Sequence, residues 1–141
     1  MSLVLDASLT LSWFFKDERT PGTDAVLTEV TENGAVVPGL WRLEVANALQ
    51  MAIRRKRIDA AFRDSALAQL SQLFIPADPD TDAYAWTAIL QLAGRFELTL
   101  YDAAYLELAQ RRRLPLATLD RELRDAAASL GIALLGVTPT N

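Results

Sequence analysis

The residues of this chain best placed to do chemistry are carboxylates. Two of them directly follow apolar runs typical of buried strands, and two lie near the starts of segments with helical periodicity. Four carboxylates in one pocket repel one another, and a cation is needed to neutralise them. A divalent ion bound by oxygen is therefore the chemistry that they would support together. The four residues are Asp6, Glu44, Asp102 and Asp120.

Each of these acids also has a structural explanation. Asp6 and Asp120 occupy positions where a carboxylate caps a helix. Asp102 follows Thr99 at the spacing of a capping box. Glu44 lies on an apolar helix face and could reach solvent at its rim, or pair with Arg42. Only convergence of the four at one edge of a sheet would favour a functional site over caps.

The composition limits the chemistry further. The chain has 141 residues, a net charge of −4, and neither histidine nor cysteine. Imidazole catalysis, thiolate nucleophiles, disulfides and nitrogen- or sulfur-ligated zinc are therefore excluded. An oxygen-bound ion would be Mg²⁺ or Mn²⁺. Since no apolar run is long enough to span a bilayer and no targeting signal is evident, we expect a cytoplasmic protein.

The hydrophobic pattern predicts short strands that alternate with helices. We expect strands at 3–5, 35–37, 74–76, 114–119 and 132–135, and helices at 9–15, 23–32, 40–57, 59–73, 80–93, 100–112 and 121–130. This alternation predicts one α/β domain over residues 1–141, a short, mostly parallel sheet between layers of helices (an α/β/α sandwich). Asp6 and Asp120 would then share the carboxyl edge of the sheet, and the helices bearing Glu44 and Asp102 could present their first turns there.

A further acidic run, Asp78-Pro79-Asp80-Thr81-Asp82, superficially resembles the start of a calcium loop. It lacks the glycine at the sixth position, and its twelfth residue is Ile89 instead of glutamate. We therefore assign it to a helix N-terminus, where acids match the helix dipole.

Over nearly its whole length the chain resembles the PIN-domain ribonucleases, and in particular the VapC-type toxins of bacterial toxin–antitoxin pairs. Ala7-Ser8 departs slightly from the pattern, since threonine followed by asparagine or serine is common there. The four segments that carry the resemblance are Val4-Leu5-Asp6-Ala7-Ser8, Leu43-Glu44-Val45-Ala46-Asn47-Ala48-Leu49, Tyr101-Asp102-Ala103-Ala104-Tyr105 and Ala117-Thr118-Leu119-Asp120-Arg121.

The resemblance implies a Mg²⁺-dependent endoribonuclease, with Mn²⁺ as a possible substitute. Asp6 and Asp102 would be the main ligands, and Glu44 and Asp120 would complete the pocket, directly or through water. The metal would activate a water for in-line attack, which leaves a 5′-phosphate and a 3′-hydroxyl. The supporting residues would be Thr118 and Ser8, which would orient ligands or contact phosphate.

The resemblance also implies partners: an RNA substrate, a VapB-type antitoxin, and a homodimer that assembles into a larger toxin–antitoxin complex. The helices at 23–32 and 40–73 carry apolar side chains that could form the antitoxin groove. Two basic clusters, Arg54-Arg55-Lys56-Arg57 and Arg111-Arg112-Arg113, could follow an RNA backbone. Both also end helices, where cations are favoured in any case.

Two alternatives remain open at this point: a catalytically silent PIN-like interaction module, and a phosphotransfer domain with an acidic pocket. An aspartyl phosphatase requires a second aspartate at the position of Ser8. A receiver domain requires a lysine late in the chain, and the chain has only Lys16 and Lys56. Metal dependence distinguishes the nuclease from the silent module.

Overall fold

A parallel sheet forms the centre of the structure, a computed structural model that describes residues 2–137. The strands are β1 (Val4–Leu5), β2 (Leu116–Ala117) and β3 (Leu134–Leu135), hydrogen-bonded in the order β1-β2-β3 and all parallel. On the other side of β1, isolated parallel bridges join Val4 to Val36 and Val37 to Ala77. The expected α/β architecture with a parallel sheet is confirmed.

Most strands of the sheet are shorter than predicted. Segment 35–37 forms only isolated bridges, and the strand predicted at 74–76 is replaced by a single bridge at Ala77. The strand predicted at 114–119 is reduced to β2, and the one predicted at 132–135 to β3. Prolines explain part of this, because Pro38, Pro76 and Pro115 lack the N–H that a longer ladder requires.

Seven α-helices surround the sheet within the described residues. Their bounds differ from the predicted ones by a few residues, except in the segment that precedes α5. They are α1 (Ala7–Ser12), α2 (Pro21–Asn33), α3 (Trp41–Arg54), α4 (Ala60–Ser71), α5 (Leu90–Phe96), α6 (Leu100–Arg112) and α7 (Arg121–Ser129).

Local sequence explains the ends of α2. Thr20 and Thr23 form a reciprocal capping box around Pro21, which occupies the first turn. The helix ends at Gly34, whose φ of +74° favours glycine. A Cβ at this position would also lie 2.8 Å from the carbonyl oxygen of Phe74.

The single helix predicted at 80–93 is wrong. The chain forms a 3₁₀ turn at Thr81–Tyr84, a π-helical turn at Ala85–Ile89 and then α5. Gly94 does not end α5, which continues to Phe96 and ends at Glu97 with a φ of 55°. A helical glycine costs only about 1 kcal/mol relative to alanine, so packing can outweigh it.

Helix α6 is the central helix of the core. All seven residues from Ala103 to Ala109 are buried, and the helix packs on β1 and β2. The small side chains of Ala103 and Ala104 allow this close approach. Its N-terminal turn carries Asp102. No helix within residues 2–137 has both the length and the apolar character needed to cross a membrane.

Candidate active site

Asp6 lies where β1 passes into α1, and its carboxylate is nearly inaccessible, with 6% of the residue exposed. It occupies the N-cap position of α1 but makes no side-chain capping hydrogen bond. Instead its Oδ2 accepts hydrogen bonds from Ser8 Oγ at 2.8 Å and Thr118 Oγ1 at 2.6 Å. A buried carboxylate fixed by hydroxyls is an unusual helix cap and a suitable ion ligand.

Thr118 connects the ends of two neighbouring strands. It is fully buried, and its hydroxyl donates to Asp6 while accepting from the backbone N–H of Asp120 at 3.1 Å. Its carbonyl oxygen accepts from Arg124 Nη1 at 2.7 Å, and the same nitrogen donates to the carbonyl of Leu135 at 2.9 Å. The carboxyl edge of the sheet is therefore held in place around Asp6.

Asp120 caps α7, as expected from its position directly before the helix. Its Oδ2 accepts from the backbone N–H of Leu123 at 2.8 Å. The cap orients the side chain without removing its charge, and that charge helps to raise the pKa of Asp102.

Asp102 occupies the first turn of α6. Thr99 caps this helix by accepting from the backbone N–H of Asp102 at 3.1 Å. Burial raises the pKa of the Asp102 carboxyl, and the negative charges of Asp6 and Asp120 raise it further, against the opposing effect of Thr99. Thr99 therefore supplies the cap, and the Asp102 carboxyl lies near enough to Asp6 and Asp120 for their charges to raise its pKa.

Glu44 occupies the first turn of α3 and is half-buried. Its Oε1 accepts a hydrogen bond of 2.6 Å from the hydroxyl of Tyr105. Helix α3 is anchored beside Asp6 by Trp41, whose indole N–H donates to Thr10 Oγ1 at 3.2 Å. The hydroxyl of Thr10 in turn donates to the carbonyl of Asp6 at 3.0 Å. The structural alternative in which Glu44 pairs with Arg42 is not observed, and Tyr105 is the partner instead.

The electrostatics show which acids share an environment. Burial raises the pKa of Asp6, although the hydroxyls of Thr118 and Ser8 oppose the shift. Burial also raises the pKa of Glu44, and the charges of Asp6 and Asp102 add to this effect. Burial is the main cause of both shifts, and the charge of Asp6 acts on Glu44 and on Asp102, which indicates that these carboxyls lie near one another.

Sequence reasoning missed two members of this environment. Tyr105 ends the segment that carries Asp102, yet nothing in the local sequence indicates that its hydroxyl reaches Glu44. Glu122 lies in the first turn of α7, and its charge also raises the pKa of Asp102. Its position two residues after Asp120 was the available signal, but a first-turn acid is ordinarily explained by the helix dipole.

The donor chemistry of this pocket fits a hard divalent cation. All the candidate ligands are oxygen atoms, and mutual repulsion among them would be relieved by positive charge. In the part of the chain that the structure describes, no group of three or more acidic side chains is already arranged to hold an ion. The partly exposed side chains of Glu44 and Asp102 would have to close around one.

Two arginines of the basic cluster at the end of α6 form ion pairs within the fold, and contact of this cluster with RNA stays a prediction. Arg111 binds Asp78 Oδ2 and Glu107 Oε2, both at 2.8 Å, and Arg112 binds Asp78 Oδ1 at 2.7 Å. Asp78 is 3% exposed. The acidic run lies at the start of a helical turn, as expected, with Asp80 at the N-cap of the 3₁₀ turn Thr81–Tyr84 and Asp82 in that turn. Asp78 has a further role, because it is the acceptor of a buried ion-pair network.

The arrangement of acids at the carboxyl edge of a parallel sheet can be compared with known proteins. The family model described as "PIN domain" matches residues 3–129. This chain belongs to the PIN domain family. The resemblance to this family, based on the four acidic motifs, is thereby confirmed. The family match argues against a phosphotransfer domain.

Individual relatives agree with the family assignment. The PIN domain is 29% identical over 130 residues to "Ribonuclease VapC3" of Pyrobaculum aerophilum, covering 92% of this chain and 98% of the relative. The crystal structure of PAE2754 from the same organism superposes with a TM-score of 0.66 at 28% identity, covering 89% of this chain and 86% of that one. FitAcB from Neisseria gonorrhoeae, at 15% identity and a TM-score of 0.63, covers 94% and 95% and shows the same fold.

Proposed function

We propose that this PIN-domain protein is a Mg²⁺-dependent endoribonuclease and the toxin of a type II, VapBC-type toxin–antitoxin pair. The observation that carries the proposal is the buried carboxylate of Asp6 at the carboxyl edge of the sheet. Burial raises the pKa of Glu44 and of Asp102, and the charge of Asp6 raises both further. The relative named a ribonuclease, which aligns over 92% of the chain, supports the same activity.

Within this proposal the four acids have distinct tasks. Asp6 and Asp102 bind the cation directly, and Glu44 and Asp120 complete the pocket, with Mn²⁺ able to replace Mg²⁺. When bound, the cation supplies a water activated for attack on a phosphodiester and neutralises charge on the phosphate. No side chain of the protein needs to act as a nucleophile.

The supporting hydroxyls fix Asp6 before any ion arrives. Ser8 and Thr118 both donate to Oδ2, so Oδ1 receives no hydrogen bond from a side chain within residues 2–137. Because an ion must displace the protons held by carboxyl groups with raised pKa values, we expect metal affinity to increase with pH.

The partners follow from the same assignment. We propose a VapB-type antitoxin, an RNA substrate and a homodimer that assembles into a larger complex in the cytoplasm. A groove of about 290 Å³ between α3 and α4 supports the antitoxin proposal, since its walls include Trp41, Val45, Leu67 and Leu70. Arg42 and Ser71 also line this groove, so it fits a partner helix that carries polar as well as apolar side chains on its docking face.

Metal-dependent cleavage tests the proposal directly. We expect the purified protein to cleave RNA with Mg²⁺ or Mn²⁺, and to be inactive in excess chelator, because its candidate ligands are oxygen atoms only. Ca²⁺ should bind but support little turnover, since it is larger and activates water poorly. Gel analysis of a mixed RNA pool, with Asp102→Asn as the control for contaminating nuclease, provides the measurement. Cleavage that persists in chelator, or in the variant, would overturn the proposal.

A further inference from the structure

Tyr105 is a buried tyrosine hydrogen-bonded to the proposed metal ligand Glu44. The residue is 0% exposed, and its hydroxyl donates to Glu44 Oε1 at 2.6 Å. The two residues are 61 positions apart in sequence, so the bond joins α6 to α3 across the pocket.

Glu44 depends on this bond for its orientation. Within the described residues its carboxylate makes no other side-chain hydrogen bond, and its neighbour Leu43 is 75% exposed. A glutamate at such a position has several rotamers available, and fixing one of them costs entropy. The bond to Oε1 selects one orientation and leaves Oε2 free.

Helix α6 provides a rigid support for the phenol. Tyr105 lies three residues after Asp102, so both side chains lie on one face of the helix. The buried run from Ala103 to Ala109 fixes that helix against the sheet. One helix therefore sets the position of two acids, Asp102 directly and Glu44 through Tyr105.

We propose that Tyr105 is a positioning residue that holds Glu44 toward Asp6 and Asp102, so that its free oxygen takes part in binding the divalent cation. The proposal rests on the proposed function, because it requires that the acidic pocket binds Mg²⁺. Tyr105 itself touches neither cation nor RNA in this scheme.

The substitution Tyr105→Phe removes only the hydroxyl. We expect the variant to bind Mg²⁺ about tenfold more weakly, as is typical when a partner that orients a metal ligand is lost. The Mg²⁺-induced rise in melting temperature reports affinity without requiring activity. In cleavage assays the Mg²⁺ concentration for half-maximal rate should rise, while the KM for RNA stays the same.

Tyr84→Phe is the matched control. The Tyr84 ring packs under the Arg111 guanidinium, 4.6 Å from the ring centroid. Its hydroxyl makes no hydrogen bond within residues 2–137, so its removal should leave the Mg²⁺ response unchanged.

A double-mutant cycle with Glu44→Gln separates positioning from general packing. If Tyr105 acts through Glu44, then adding Tyr105→Phe to Glu44→Gln weakens Mg²⁺ binding no further. Should Tyr105→Phe fail to fold, Glu44→Asp takes its place, because the shortened carboxylate keeps its charge but cannot both meet the phenol and reach the ion. We expect Glu44→Asp to bind Mg²⁺ as weakly as Glu44→Gln.

The outcomes are distinct. Three results would overturn the positioning role. They are wild-type Mg²⁺ affinity in Tyr105→Phe, wild-type Mg²⁺ affinity in Glu44→Asp, and a loss of affinity from Tyr105→Phe in the Glu44→Gln background as large as in the wild-type background. Absence of any Mg²⁺ response in the wild-type protein would instead overturn the proposed function.

Discussion

At the scale of single residues, the acids differ in whether their side chains cap a helix. Asp120 caps α7, whereas Asp6 makes no side-chain capping bond and is fixed by two hydroxyls. For Asp102 the cap is supplied by Thr99. Its carboxylate is free to contribute charge to the pocket.

This distinction predicts the behaviour of Asp102→Asn. The pKa of Asp102 is raised by burial and by neighbouring charges, so the folded metal-free protein holds a proton to higher pH than the unfolded chain. Stability is therefore lost as pH rises through that raised value. Near neutral pH the metal-free variant should melt no lower than wild type, and Mg²⁺ should stabilise wild type much more than the variant.

Thermal melts of both proteins, with and without Mg²⁺, provide the measurement. If Asp102 instead served the helix end, its replacement would lower stability by about 1 kcal/mol, and Mg²⁺ would affect neither protein. Thermal melts of the metal-free wild type at a series of rising pH values should also show a decline in stability, because the pKa values of the pocket acids are raised in the folded state.

At the scale of elements, a buried ion-pair network fixes the far end of α6. Asp78 follows the bridge between Val37 and Ala77, and Arg111 and Arg112 bring it against the last turn of the helix. Asp102 and Arg111 are nine residues apart, about 13 Å along the axis. The network therefore stabilises the helix at the end opposite the pocket.

Loss of Asp78 should destabilise the fold without abolishing the chemistry. The substitution Asp78→Ala removes several charge-assisted hydrogen bonds, although Arg111 keeps Glu107 and Arg112 is partly exposed. We therefore expect it to lower the free energy of unfolding by about 2 kcal/mol. Activity per folded molecule should stay close to wild type. Chemical denaturation and cleavage assays at low temperature measure the two effects, with Asp80→Ala as an exposed control. A variant as stable as wild type would contradict the assigned role.

The pH dependence of this network has the opposite sign to that of the acidic pocket. Burial would raise the pKa of Asp78, but hydrogen bonds from Arg111, Arg112 and Thr81 hold it well below its ordinary value of 3.8. Its contribution to stability is complete above that value and is lost as pH falls toward the lowered one. The network therefore loses its contribution to stability as pH falls, whereas the pocket of the metal-free protein loses stability as pH rises through the raised pKa values of its acids.

At the scale of the whole molecule, the surface charge limits how RNA is bound. The net charge is −4, and in the cluster at the end of α6 Arg111 and Arg112 are engaged in ion pairs. Arg57 is likewise shared between Asp17, Glu18 and the ring of Phe15. Strong non-specific affinity for nucleic acid is therefore not expected.

The toxin assignment predicts a cellular effect. Expression of the protein alone should arrest growth, because RNA cleavage would be uncontrolled, and co-expression of the small open reading frame beside its gene should relieve the arrest. Growth curves after induction provide the measurement, with Asp102→Asn as the inactive control. If wild type and variant were equally harmless at high expression, a catalytically silent module would be the better account.

The sequence alone determined the order of strands and helices, the parallel sheet and the acids at its carboxyl edge. These features depend on local periodicity and on residues adjacent to strand ends, such as Asp6 and Asp120. The absence of histidine and cysteine likewise determined that any metal ligand would be oxygen. Local pattern was misleading where several short conformations follow one another, as between Thr81 and Phe96.

Only the tertiary structure decided which side chains meet. The bond between Tyr105 and Glu44 spans 61 positions, and that between Thr118 and Asp6 spans 112. Their existence depends on how α3 packs beside α6 and β1 beside β2, which no local window encodes. The same holds for Asp78, whose partners lie 33 and 34 positions away. Burial raises the pKa of Asp6 and Glu44, whereas hydrogen bonds from two arginines lower that of Asp78. Both effects arise from the packed structure and not from the residue type.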